Sequence, residues 1–239
     1  MTGAAPMLEV AGISSFYGWA RILFDLSLSV GRGEVAVLLG RNGAGKSTTL
    51  KSIVGLVRPS SGSVTFRGTG IAGLPPHRIV RMGLGYVPEE RRIFTDLTVA
   101  ENLEVGRQRP RAEAPEWSVD KLFTLFPNLA EMQGRPAGQM SGGEQQMLTV
   151  ARTLMGNPSL ILLDEPSEGL APVIVDQMAA MIRALKNRGL SILLSEQNLR
   201  FARMVSDRAY IIEKGRIRWQ GSMDDLAADE AAKQQYLAV

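Results

Sequence analysis

Three short runs of this sequence carry residue types that could do phosphate chemistry. The first is Gly40-Arg41-Asn42-Gly43-Ala44-Gly45-Lys46-Ser47, followed by Thr48. It fits G-x-x-x-x-G-K-[ST]. Its glycines let successive backbone N–H groups turn inward around phosphate oxygens. Lys46 offers an ammonium to the β- and γ-phosphates, and Ser47 offers a hydroxyl to Mg²⁺. The second run is Leu160-Ile161-Leu162-Leu163-Asp164-Glu165, an apolar stretch ending in two carboxylates. Asp164 could hold a metal through water, and Glu165 could polarise an attacking water as general base. The third is Gln139-Met140-Ser141-Gly142-Gly143-Glu144. Ser141 and Glu144 are spaced as a capping box. The same serine and glycines at a helix N-terminus could also face an anion.

These runs need elements to hold them. Glu34 to Leu39 reads as a buried strand, as in a parallel sheet. A helix from Lys46 to Leu56 follows the glycine loop. Leu160–Leu163 and Leu190–Leu194 read as two more buried strands. The apolar spacing of Ile174, Met178, Met181, Ile182 and Leu185 predicts a helix, with Pro172 in its first turn. Its methionines are expected in the core. The start of the chain reads as β, with Leu8–Val10 and then the alternating Ile22 to Val30. Ala209–Ile212 and Ile217–Gln220 read as a hairpin turned at Lys214-Gly215. Between Glu89 and Pro158 the texture becomes helical, with a capping box at Thr98 and Glu101 and helices near Val119–Phe126 and Gly142–Met155. The pattern predicts an α/β core with an antiparallel β region and an inserted helical subdomain. The expected division is 7–88, 89–158 and 159–239.

Composition narrows the classes. The chain has 239 residues, 45% hydrophobic and 21% charged, which is ordinary for a globular protein. It has no cysteine and one histidine, so thiolate chemistry and multi-histidine metal sites are excluded. The net charge of +3 does not mark a nucleic-acid binder. No run approaches the length of a membrane span. Arg107, Arg109 and Arg111 are expected on a solvated loop face, with lipid headgroup contact as the alternative. His77 is expected at the exposed start of a helix.

Together the three runs resemble the nucleotide-binding subunits of ATP-binding-cassette (ABC) transporters, over essentially the whole chain. That resemblance implies a Mg²⁺-dependent ATPase with a P-loop NTPase core. Two such domains would pair head to tail. Ser141, Gly142 and Gly143 would then meet the γ-phosphate of ATP held by the partner, with Glu144 completing that cofactor-binding run, while residues 40–48 hold this chain's own. Tyr17 matches the aromatic residue that stacks on adenine. Glu89 stands where the family has a glutamine near the γ-phosphate, its added charge to be offset by Mg²⁺ or by Arg91 or Arg92. Gln197 stands at the switch histidine, and Ala171 at a common aspartate.

These departures resemble one branch, the second ATPase of bacterial branched-chain amino acid importers and their urea and amide relatives. By that resemblance the partners are a second ATPase (a homodimer being possible in isolation) and two membrane permeases, fed by a periplasmic binding protein. The expected location is peripheral, at the cytoplasmic face of the cell membrane. The two ATP sites are expected to be unequal. The alternatives are a soluble ABC ATPase of DNA repair or translation, an exporter ATPase, and a non-enzymatic binding module.

Overall fold

The computed structural model describes residues 5–112 and 114–237. β1 (Leu8–Tyr17) and β2 (Ala20–Val30) form an antiparallel hairpin, with Tyr17 opposite Ala20 across the turn Gly18-Trp19. β3 (Val35–Leu39) leads into α1 (Lys46–Ile53). β4 (Ser61–Phe66) pairs with the other edge of β1, and the short β5 (Thr69–Gly70) closes a four-stranded sheet ordered β2-β1-β4-β5. Next come α2 (Pro76–Arg81) and β6 (Leu84–Val87).

The helical stretch holds α3 (Val99–Gly106), α4 (Val119–Leu125), α5 (Pro127–Glu131), a 3-10 turn (Ala137–Gln139) and α6 (Gly142–Leu154). The chain then returns to the sheet with β7 (Leu160–Asp164), α7 (Pro172–Asn187), β8 (Ser191–Glu196), α8 (Leu199–Val205) and β9 (Arg208–Glu213). β10 (Arg216–Ser222), α9 (Met223–Ala228), α10 (Glu230–Ala232) and a π-helical turn (Lys233–Leu237) complete the described chain.

The second sheet is ordered β10-β9-β3-β8-β7-β6. Neighbours from β9 to β6 run parallel, and β10 returns antiparallel from the turn Lys214-Gly215. Every residue of β3, β7 and β8 is buried, the reason these strands read as unbroken apolar runs. Strand alternation assigns their side chains to two cores. Ala36, Leu38, Leu162 and Leu193 pack with the antiparallel sheet and α1. Val37, Leu163, Ile192 and Leu194 pack with the helices, including Met178 and Met181 of α7.

Some boundaries differ from expectation. α1 ends at Ile53 rather than Leu56, because Gly55 turns the chain at φ 81°. α4 stops before Pro127, since a residue preceding proline is driven out of the helical region. His77 is exposed in the first turn of α2, as expected.

Arg111 departs from the solvated face expected of it. Its guanidinium donates to the carbonyl oxygens of Arg81 (3.0 Å) and Asn157 (2.8 Å), and to that of Gly156. It therefore ties the C-terminal end of α2, where the Arg81 carbonyl has no partner within the helix, to the turn that follows α6. Arg107 remains exposed and pairs with Glu104 at 2.7 Å.

Candidate nucleotide site

Four adjacent parallel strands deliver the site. The glycine loop leaves the end of β3, Gln197 follows β8, Asp164-Glu165 ends β7, and Glu89 follows β6. Register fixes their level: Leu39 lies opposite Glu196, Asp164 opposite Ser195, and Val87 opposite Leu163. Ligands of such sheets bind beyond the carboxyl ends of the strands.

The loop from Gly40 to Ser47 is shaped by backbone conformation. Gly45 sits at φ 112°, and a methyl group there would meet Leu23 at 3.0 Å. Only glycine takes that conformation without strain. Lys46 is 3% exposed, and its ammonium donates to the carbonyls of Gly40 (2.8 Å) and Arg41 (3.1 Å). It also pairs with Glu165 at 3.0 Å. Ser47 Oγ donates to Asp164 Oδ1 at 3.0 Å, and Thr48 is buried one residue on.

The two carboxylates differ in surroundings. Asp164 accepts from Ser47, from Ser195 Oγ (2.7 Å) and from Tyr86 OH (3.2 Å). Burial, then the Asp164 charge, pushes the Tyr86 phenol up, so it stays a donor. Glu165 is held at φ 46°, a strained position for a non-glycine residue. Burial pushes its carboxyl up, but hydrogen bonds from Gln197, Lys46 and Glu168 outweigh that and hold it below its ordinary value. Glu168 is the other half of this pair. Its hydrogen bond to Glu165, then burial, pushes it up to about 7.

Gln197 Nε2 donates to Glu165 Oε2 at 2.9 Å and to Asn42 Oδ1 at 2.6 Å. A carboxylate cannot donate, so the orientation of the Gln197 amide follows from its neighbours. Gln197 thereby joins the glycine loop to the general-base candidate.

Glu89 is exposed beside this cluster. Burial, then the charges of Glu165 and Asp164, pushes its carboxyl up. The cation that acts on it is Lys51. Of the two ways expected to offset Glu89, the arginine one is not met: Arg92 pairs with Glu90 at 3.7 Å, and Arg91 lies against Gly142, which leaves Mg²⁺.

The signature run stands apart. Ser141 and Glu144 form the capping box, with Ser141 N donating to Glu144 Oε2 at 2.7 Å. Among the described residues, no hydrogen bond joins this segment to the glycine loop. Tyr17, at the end of β1, is 49% exposed. One chain therefore shows two separate faces, one with the loop and carboxylates, the other with the signature.

Sequence reasoning missed Glu168 and three further residues of the cluster. Ser195 bridges Asp164 and the Glu165 backbone amide, and Tyr86 meets Asp164 from β6. Glu196 is buried and accepts from the backbone of Ser167, Gln197 and Asn198, fixing two loops at once. The only trace of these three in the sequence was a polar residue at the end of an apolar strand.

The metal expectation can be tested by donor chemistry. Ser47 and Asp164 supply hard oxygen atoms and are already in contact. Among the described residues no cluster of three or more acidic, histidine or cysteine side chains could cage an ion. Few protein ligands, all oxygen, suit Mg²⁺ bound with substrate phosphates.

The fold and this constellation define an ATP-binding cassette. The chain belongs to the ABC transporter family, whose model matches residues 23–168, and it is an ATP-hydrolysing subunit. It is 42% identical over 231 residues to the high-affinity branched-chain amino acid transport ATP-binding protein BraG of Pseudomonas aeruginosa, covering 97% of this chain and 99% of BraG. It is 37% identical over 234 residues to the lipopolysaccharide export system ATP-binding protein LptB of Haemophilus influenzae, covering 97% of each. Among solved structures, a nucleotide-free ATP-binding cassette from an ABC transporter superposes with a TM-score of 0.81 at 27% identity. That match covers 95% of this chain and 97% of the other.

Proposed function

We propose that this chain energises an importer of branched-chain amino acids or related small polar solutes. It would pair with a second ATPase at the cytoplasmic face of the cell membrane, beneath two permeases fed by a periplasmic binding protein. The observation that carries this reading is the full-length similarity to BraG, on a chain whose phosphate loop and carboxylates are already assembled.

Phosphate binding falls to residues 40–48, with Tyr17 offering an aromatic face to adenine. Lys46 is held at the loop by Gly40 and Arg41, so its charge is already positioned. Ser47, Asp164 and Glu89 would hold Mg²⁺, which supplies charge neutralisation on phosphate oxygens when bound. Glu165 is kept ionised, so it can accept a proton from water. Gln197 fixes the Glu165 carboxylate relative to the loop. Its amide carries no charge at any pH, unlike a histidine there. Ser141, Gly142, Gly143 and Glu144 would complete the opposing subunit's site, so a lone chain has no complete one.

Core segments 7–88 and 159–239 bind nucleotide in this reading, and segment 89–158 transmits closure. A cavity of about 430 Å³ lies between them, lined by Leu56, Val80, Phe94 and Val105 among others. These four are large apolar residues left exposed, as at an interaction surface. We assign this groove to a cytoplasmic segment of a permease.

Affinity capture from mildly solubilised membranes tests the proposal. A second ATPase and two polytopic proteins, in a complex whose reconstitution drives solute uptake, are the expected result. Recovery with a lipid-exporting complex would replace it with a second reading, which the similarity to LptB favours. Recovery without membrane partners would overturn both.

A further inference from the structure

We infer that Arg91 is a phosphate-binding residue that acts across the ATPase pair, through the γ-phosphate of ATP seated in the opposing subunit. This rests on the reading above, in which the signature run faces that nucleotide.

The loop after β6 serves two faces. Glu89 feels the charges of Asp164 and Glu165 on this chain's own phosphate side. Two residues later the chain has turned to the signature. Arg91 and Arg92 both sit in the left-handed region, at φ 62° and 49°. The Arg91 carbonyl accepts from Thr149 Oγ1 at 2.8 Å, and the Arg92 carbonyl from Arg152 Nη2 at 2.7 Å. Both donors belong to α6, so this part of the loop is anchored to the signature helix.

The side chain lies over the signature itself. A methyl group added at Gly142 would fall 2.5 Å from Arg91 Nη1 and 3.2 Å from Cζ. Gly142 thus leaves room for a guanidinium. Arg91 is half-buried, and among the described residues it has no ion pair and its guanidinium donates no hydrogen bond. Its neighbours are otherwise engaged: Arg92 with Glu90, and Arg152 over the Phe94 ring at 4.9 Å. The Glu144 carboxylate is committed to Ser141 N. A helix N-terminus, a serine hydroxyl and an unpaired guanidinium then converge on one place. A guanidinium matches phosphate oxygens in a two-pronged fashion that an ammonium does not.

The test compares Glu165→Gln with Glu165→Gln/Arg91→Gln and Glu165→Gln/Arg91→Lys. ATP-driven association is followed by sedimentation, with the chain alone and mixed with the companion ATPase recovered in the capture experiment. The expected result is that Arg91→Gln raises the ATP concentration needed for association on the order of tenfold, the effect of one charged hydrogen bond. Arg91→Lys should recover part of it. ADP, lacking the γ-phosphate, should drive no association in any variant. Thermal melting and ADP binding by the unassociated chain report on folding and on the chain's own phosphate loop. If Arg91→Gln leaves them intact and associates like its parent, the role of Arg91 is overturned and the paired-site reading stands. If the Arg91→Gln chain does not fold, Arg91→Lys decides on the same readout, and association equal to the parent overturns the role. If Glu165→Gln itself never associates with ATP, the paired-site reading fails and takes this inference with it.

Discussion

At the scale of single residues, the site is a set of charges that already satisfy one another. Lys46 and Glu165 are both buried, and each would be costly alone. Gln197 adds a neutral clamp. Replacing Glu165 with Gln should keep the side chain's shape but remove the base, and its single carbonyl oxygen can accept from Lys46 or from Gln197 but not from both. Steady-state turnover should fall on the order of 10²–10⁴-fold, with ATP-bound dimers accumulating. Wild-type turnover in that variant would remove Glu165 as the base.

Glu168 gives a pH signature. Its folded value of about 7 lies above the ordinary carboxyl range. Between that range and about 7, the folded protein keeps a proton that the unfolded chain has released. Stability from this group is therefore full at low pH and is lost as pH rises through that window. Glu168→Gln should flatten that slope in urea titrations between pH 5 and 8, values chosen about the ordinary carboxyl and shifted ranges. An unchanged slope would show that the two carboxyls do not share a proton.

At the scale of elements, the phosphate loop is braced by a turn far along the chain. Gly215 N donates to Ala44 O at 2.8 Å, and Phe24 N donates to Gly215 O at 2.9 Å. The turn between β9 and β10 thus links β2 to the loop that opens α1. Gly215 is at φ 74°, and a methyl group there would collide with the carbonyl oxygen of Ile22. Gly215→Ala should destabilise the fold by about 2–4 kcal/mol in urea unfolding and weaken ATP binding. A variant of native stability would show that this brace can relax without cost.

At the scale of the whole molecule, the phosphate loop and the groove proposed for a permease lie on different surfaces. The groove that holds Val105 lies between core and helical segment, while the phosphate loop opens at the strand ends. Val105 is 54% exposed, so a polar replacement costs the fold little. Val105→Asp should leave ATP binding by the free subunit unchanged and reduce co-purification of permeases at least tenfold, by placing a charge in an apolar contact. Equal recovery of permeases would place the docking surface elsewhere.

The sequence alone determined the chemistry that is local in the chain. The glycine loop, Lys46 and Ser47 are consecutive, and their backbone preferences shape the same cradle in any setting that offers a strand before and a helix after. The capping boxes at Thr98 and Ser141, the hairpin at Lys214-Gly215 and the buried strands were legible for the same reason. Each is written within a few consecutive residues, as a spacing of three or an unbroken apolar run. Tertiary structure decided what depends on strand order. With β8 between β3 and β7, Gln197 meets both Asn42 and Glu165, and Ser195 meets Asp164. No spacing in the sequence encodes that adjacency. Arg111 reads as a solvated charge because its four carbonyl partners lie at the ends of other helices. Arg91 and Glu89 are two residues apart, yet Glu89 feels Asp164 and Glu165 while Arg91, itself in left-handed backbone, lies against Gly142. Contacts distant in sequence are set by packing free energy summed over the whole core, and that sum exists only once the chain has folded.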